Sequence, residues 1–163
     1  MEKIWAPWRQ KYILNIKKRG CFLCNIIKKQ EKGLLLFRGG YCCVVMNIFP
    51  YNNGHIMVAP LKHKNSFEKF TEDEKNEIFF IFTESIKIIQ EKMKPMGINT
   101  GLNLGKYAGA GVPGHLHFHI VPRWAGDTSF MPIISDTKII SQSLEDVYKI
   151  LKPSFDKIKS TSK

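Results

Sequence analysis

Gly114-His115-Leu116-His117-Phe118-His119-Ile120-Val121-Pro122-Arg123 alternates three histidines with three large apolar residues. Successive side chains of a β-strand point to opposite faces. The spacing therefore puts His115, His117 and His119 on one side of a strand and turns Leu116, Phe118 and Ile120 into a core. At helical pitch the same residues would spread round the axis and neither face would be coherent. Three of the five histidines in the chain fall within these five positions. The stretch predicts a strand that carries a site.

Outward from it, residues 105–114 form a glycine-rich loop, and 98–104 read as the strand before it. Thr71-Glu72-Asp73-Glu74 has the form of a capping box and opens a long helix to about Lys94, where Pro95 and Gly97 stop it. Ile78, Phe79, Phe82, Ile86, Ile89 and Met93 recur along it at three- and four-residue steps, the expected core stripe. Residues 34–37 and 41–46 read as two strands joined by a tight turn at Arg38-Gly39-Gly40, and 55–59 as a third. A short helix is expected over 25–31. A last one starts at Ser143-Leu144-Glu145-Asp146 and ends before Pro153, with a frayed tail from Lys157. The pattern is that of an α+β domain with an antiparallel sheet. It is expected as a single unit, 1–163, with an N-terminal arm (1–20), a core (21–127) and a C-terminal extension (128–163). Trp5, Trp8, Tyr12, Ile13 and Leu14 make the arm apolar enough to pack on the body or on another subunit.

At 163 residues, 44% hydrophobic, the chain has material for one real core. No stretch reaches the roughly 18 consecutive apolar residues of a membrane span. The start, Met1 to Pro7, lacks the apolar run of a signal peptide. With Cys42 and Cys43 adjacent, the four cysteines make a poor disulfide scaffold, so a reduced, cytoplasmic protein is expected. The net charge of +11 is unevenly spread. Residues 1–40 hold ten Lys/Arg against two Asp/Glu, 41–150 hold eleven of each, and 151–163 hold four against one. The excess thus sits at the ends and not around the histidines, and reads as a solvated surface rather than a nucleic-acid site.

Imidazoles in a row suit either a mononuclear metal centre or covalent catalysis, in which one histidine attacks while its neighbours steady the developing charge. Hydrolytic metal sites usually add a carboxylate, yet no acidic residue lies between Glu91 and Asp127. Asn99, Asn103, Lys106, Arg123 and the glycines of 105–111 stand there instead. Such glycines let backbone N–H groups approach an anion, so the site is built for a phosphate. Cys21-Phe22-Leu23-Cys24 reads in three ways: half of a zinc site, a redox pair, or two small buried residues. Zinc needs two further ligands, and His63 and His115 are the imidazoles outside the presumed catalytic set. The redox reading wants a preceding strand and a long following helix, and neither is obvious.

His115-Leu-His117-Phe-His119-Ile-Val121 resembles the signature of the histidine triad (HIT) family. Gly54-His55-Ile56-Met57-Val58-Ala59-Pro60 resembles its upstream block, and the likeness runs from about Cys21 to Asp127. The flanks Trp5-Ala-Pro-Trp-Arg9, Pro50-Tyr-Asn-Asn-Gly-His55, Gly101-Leu-Asn-Leu-Gly105 and Pro122-Arg-Trp-Ala-Gly-Asp127 look like the bacterial diadenosine-tetraphosphate phosphorylase branch. The resemblance implies a HIT-like fold: a five-stranded antiparallel sheet with one long and one or two short helices, continued across a homodimer. It implies nucleotidyl transfer at an α-phosphate, with inorganic phosphate or water as acceptor.

Carried over by residue, His117 is the nucleophile, and His119 sits protonated or donating beside the phosphate oxygens and leaving group. His55 supports the site from the next strand. Asn47 matches the ribose-holding position. Asn103 and the backbone of Gly109, Ala110, Gly111 and Val112 match the phosphate side, and Trp124 an aromatic that contacts a base or the second subunit. His115 counts with the catalytic histidines of the triad, but family members with the C-x-x-C often bind zinc through it, which implies Cys21, Cys24, His63 and His115 as ligands and makes the role of His115 more structural than catalytic. Pro113-Gly114 presents no side chain where related sequences often have a polar or acidic one, which would loosen the loop. The alternatives are a hydrolase of dinucleoside polyphosphates or nucleoside phosphoramidates, a nucleotide- or nucleic-acid-binding module, and a mononuclear metalloenzyme.

Overall fold

Cys42-Cys43-Val44-Val45-Met46 is apolar without a break because both of its faces are covered. The computed structural model describes residues 20–31, 33–127 and 140–158. The expected packing of the arm and fraying of the last residues fall outside them. Five strands, β1 (Leu35–Arg38), β2 (Cys42–Met46), β3 (Ile56–Pro60), β4 (Gly97–Leu102) and β5 (Phe118–Arg123), form one antiparallel sheet in the order β1-β2-β3-β5-β4. The α-helices among the described residues are α1 (Phe22–Lys29), α2 (Glu72–Met93) and α3 (Leu144–Phe155). None is long and apolar enough to cross a membrane.

The period of two sorts the strand residues. Cys42, Val44, Met46, Ile56, Val58 and Ile120 pack with Ile78, Ile81 and Ile89 of α2 and Val147, Leu151 and Phe155 of α3. Cys43, Val45, Met57 and Ala59 pack on the other side with Leu23, Ile26 and Ile27 of α1. Eight residues of helix span only about 12 Å, so α1 covers part of its face. His119, opposite Met57 of β3 and Gly101 of β4, belongs to the uncovered part of that face.

The capping box forms as expected: Thr71 Oγ1 accepts from the Glu74 amide (3.3 Å) and Glu74 accepts from the Thr71 amide (2.8 Å). Buried Glu77 accepts the amides of Gly40, Tyr41 and Cys42 at 3.2, 2.8 and 2.9 Å, fastening the β1–β2 turn to α2. A Cβ at Gly39 would lie 2.4 Å from Glu77 Oε1, so the turn needs glycine there.

Five expectations are corrected. The short helix expected over 25–31 runs from Phe22 to Lys29, so that Cys24 lies within it. Phe79 is 69% exposed. The buried line of α2 runs through Ile78, Ile81, Ser85, Ile88 and Ile89, with Phe82, Ile86 and Met93 against it, and Phe79 is rotated past its edge. Strand β4 stops at Leu102, two residues early. Helix α3 runs through Pro153 to Phe155. Fully burying Phe155 contributes roughly 1.5–3 kcal/mol, comparable with the roughly 3 kcal/mol that an interior proline costs. Strand β5 begins only at Phe118, for reasons that belong to the site.

Candidate active site and metal centre

The three alternating imidazoles do not share one centre. His115 precedes β5, its amide donating to the Val112 carbonyl at 3.1 Å. Its ring turns toward the start of α1, with Nδ1 3.3 Å from Cys21 Sγ and 3.4 Å from Cys24 Sγ. Nε2 lies 2.8 Å from the Pro60 carbonyl. A carbonyl only accepts, so Nε2 carries the proton and the Nδ1 lone pair faces the sulfurs. His63 Nδ1 is 3.3 Å from Cys24 Sγ, and one donor atom from each of the four residues lies within 4.8 Å of the others. Cys21 caps α1, its sulfur accepting from the Cys24 amide, and the first helical turn brings the two sulfurs together. Burial pushes the Cys21 thiol up to about 11. Gly114 is explained here: a Cβ on it would sit 2.7 Å from His63 Nε2, so the bare residue seats His63 instead of loosening the loop.

His117, His119 and His55 form the second cluster. His117 Nδ1 lies 2.8 Å from the His115 carbonyl, which fixes its proton on Nδ1 and leaves the Nε2 lone pair free. The Tyr51 amide donates to His55 Nδ1 at 2.9 Å. His55 must then carry its proton on Nε2, which donates to His119 Nδ1 at 2.8 Å. That places the His119 proton on Nε2, a buried nitrogen with no partner among the described residues. Ring centroids are 4.9 Å apart for His117–His119 and 5.0 Å for His55–His119. Burial lowers the pKa of His117 and, with the neighbouring His117, pushes His119 down to about 4, so both are neutral near pH 7. One neutral imidazole presents a lone pair and its neighbour presents a donor, a combination suited to attack on a phosphate.

The other sequence-derived residues divide. Asn47 is buried against His55, its Nδ2 3.3 Å from both ring nitrogens and its Oδ1 accepting the Phe49 amide. Asn103 Nδ2 donates to the Gly109 carbonyl at 3.4 Å. The amides of Gly109 and Ala110 donate inside the loop, to Lys106 and Gly105 carbonyls. No hydrogen bond among the described residues uses those of Gly111 and Val112. Trp124 is five residues beyond His119, past the end of β5, beside a cavity of about 300 Å³ lined also by Asn53, Lys92, Met93 and Gln142. Within one chain it is not brought to the histidines.

Sequence reasoning missed the groups that hold the second cluster. Tyr51 supplies an amide and a ring 4.6 Å from that of His55. Asp127 accepts from Asn52 Nδ2 (2.7 Å), Arg123 Nε (2.6 Å) and Nη2 (2.9 Å) and the Trp124 amide (3.1 Å), tying the 47–55 loop to the end of β5. Both flanking blocks contain these residues, and nothing in their spacing along the chain signals that they meet.

The HIT domain family matches residues 28–126. The AP-4-A phosphorylase of Mycobacterium tuberculosis (strain CDC 1551 / Oshkosh) is 34% identical over 161 residues, 93% of this chain and 83% of that protein. The crystal structure of a hypothetical histidine triad nucleotide-binding protein from Sulfolobus tokodaii is similar with a TM-score of 0.68 at 27% identity, covering 83% of this chain and 92% of the other. A Zn-bound histidine triad family protein from Mycobacterium smegmatis shares the fold at 20% identity, TM-score 0.67, over 84% and 94% of the two chains.

Proposed function

This chain belongs to the HIT domain family, and from that membership we propose that it transfers a nucleotidyl group from the α-phosphate of dinucleoside polyphosphates to inorganic phosphate. The free Nε2 lone pair of His117 beside the unpartnered Nε2–H of His119 is the observation that carries this reading. With diadenosine tetraphosphate, His117 Nε2 bonds to an α-phosphorus as the bond from that phosphorus to its bridging oxygen breaks and ATP leaves. His119 Nε2–H donates to a phosphate oxygen, and His55 holds it in that tautomer. A phosphate oxygen then attacks the same phosphorus, the N–P bond breaks, and ADP departs. Two easier displacements replace one difficult one. Asn47 is assigned to the ribose, and Asn103 with the amides of Gly111 and Val112 to the leaving phosphates.

Cys21, Cys24, His63 and His115 are assigned a structural Zn²⁺. Two sulfurs and two imidazole nitrogens suit zinc, whose bond lengths imply ligand separations of about 3.5 Å, against the 3.3 and 3.4 Å sulfur–nitrogen distances here. Bound there, the ion would draw both thiols to thiolates and hold the four side chains together. A second copy is assigned to the outer edge of β4, which no strand of this chain covers among the described residues. A single domain, 1–163, in a reducing cytoplasm fits the four free cysteines.

Product analysis tests the activity. Diadenosine tetraphosphate is incubated with the protein, with and without inorganic phosphate, and the nucleotides are resolved. ADP plus ATP, only when phosphate is present, is expected. AMP plus ATP regardless of phosphate makes it a hydrolase, and cleavage of an adenosine phosphoramidate alone moves it to that substrate class.

A further inference from the structure

His115 belongs to both clusters, through different atoms. Its ring Nδ1 faces the two sulfurs, and its main-chain carbonyl accepts the proton of His117 Nδ1. That carbonyl is one end of the 115–116 peptide, and the other end, the Leu116 amide, donates to the Lys64 carbonyl at 2.7 Å. A trans peptide is planar with its N–H and C=O on opposite sides, so holding the N–H toward Lys64 aims the C=O at His117. Lys64 follows His63 directly, and His63 is a member of the same Cys/His group. The two histidines of that group therefore adjoin the two sides of a single hydrogen bond, Leu116 N–H to Lys64 C=O. Whatever closes the group fixes the peptide, and the peptide fixes which nitrogen of His117 carries the proton.

We propose that the Cys21–Cys24–His63–His115 group positions His117: with metal bound it locks the 115–116 peptide and so keeps the lone pair on Nε2, and when it opens His117 loses this fixed tautomer. The inference rests on the proposed zinc site and on His117 as nucleophile. It makes His63 and His115 positioning residues, acting on the reaction through a main-chain carbonyl and touching no substrate. The tautomers of His55 and His119 are set by a separate hydrogen-bond chain that starts at the Tyr51 amide.

The test reads the imidazole nitrogens by ¹⁵N NMR in full-length protein, loaded with Zn²⁺, stripped by a chelator, and as His63→Asn. The loaded protein is expected to show a slowly exchanging His117 Nδ1–H. Stripping or His63→Asn should abolish that signal and leave the His55–His119 N–H in place. The single-turnover rate of nucleotidyl transfer should fall about 10- to 100-fold, the usual range for loss of an outer partner of a site, with nucleotide affinity little changed. His63→Cys, which restores a fourth ligand, should recover both signal and rate in Zn²⁺. Loss of thermal stability on stripping with an unmoved His117 signal overturns the proposal, as does failure of the loaded group to take up zinc. The expected NMR changes without transfer to any acceptor would sink the enzymatic reading and leave the positioning intact.

Discussion

The two faces of the sheet are made from alternate residues of the same strands, and they are finished differently. Toward α2 and α3 the middle of the sheet is apolar and closed, down to Val147, Leu151 and Phe155. Toward α1 the cover stops after Leu23, Ile26 and Ile27, and the remaining area holds His55, His117 and His119. On the first face burial is its own reward through the hydrophobic effect. On the second, buried polar rings need partners for their nitrogens, and His119 Nε2 is a buried one that has none among the described residues. One strand register thus sets stability on one side and chemistry on the other.

The sharpest break of this comparison is a pair of truncations. His117→Ala should lower nucleotidyl transfer by about 10⁴-fold or more while the melting temperature stays near that of the parent. Leu151→Ala, on the closed face, should cost about 2–5 kcal/mol in chemical denaturation with the turnover of the folded fraction retained. If His117→Ala were the variant that unfolds, the division of labour would be wrong. Gly114→Ala refines the open face. Its new methyl meets His63 Nε2, and zinc affinity in a competition titration should drop about 10-fold or more, with the α2/α3 side undisturbed. The smallest effect is that of pH. His119 is held near 4 by burial and by His117, against about 6.5 in an unfolded chain. Below about 6.5 the unfolded state takes up a proton that the folded state refuses, so stability falls as pH drops from about 6.5 toward 4 and is flat above. Denaturation midpoints of parent and His119→Asn should converge or cross over that window, and parallel curves would refute the assignment.

Much of this was legible beforehand, for reasons particular to each element. Thr71 and Glu74 announce α2 because a capping box is local chemistry. Strands β2 and β3 are apolar runs bounded by turn residues. The four possible zinc ligands were readable as residue types, and the fold does bring them together. The departure of His115 from β5 was not readable, since alternation in sequence cannot tell a strand from an extended approach to one. Nor were the tautomers. They are set by the Tyr51 amide and the His115 carbonyl, and every residue type but proline carries the same pair of groups. Phe79 reads as core in the sequence and is exposed in the fold, because an apolar residue beside a buried stripe has the same letter as one within it.

The contacts that complete the open face join residues far apart in the chain: 64 positions for His55–His119, 75 for Asn52–Asp127 and 94 for Cys21–His115. The α2 cap spans three. Long-range contacts of this kind form slowly, because the intervening chain must be ordered before they are rewarded. During refolding, helical circular dichroism should therefore recover ahead of activity. The lag between the two traces would time the closing of the longest loops in the molecule.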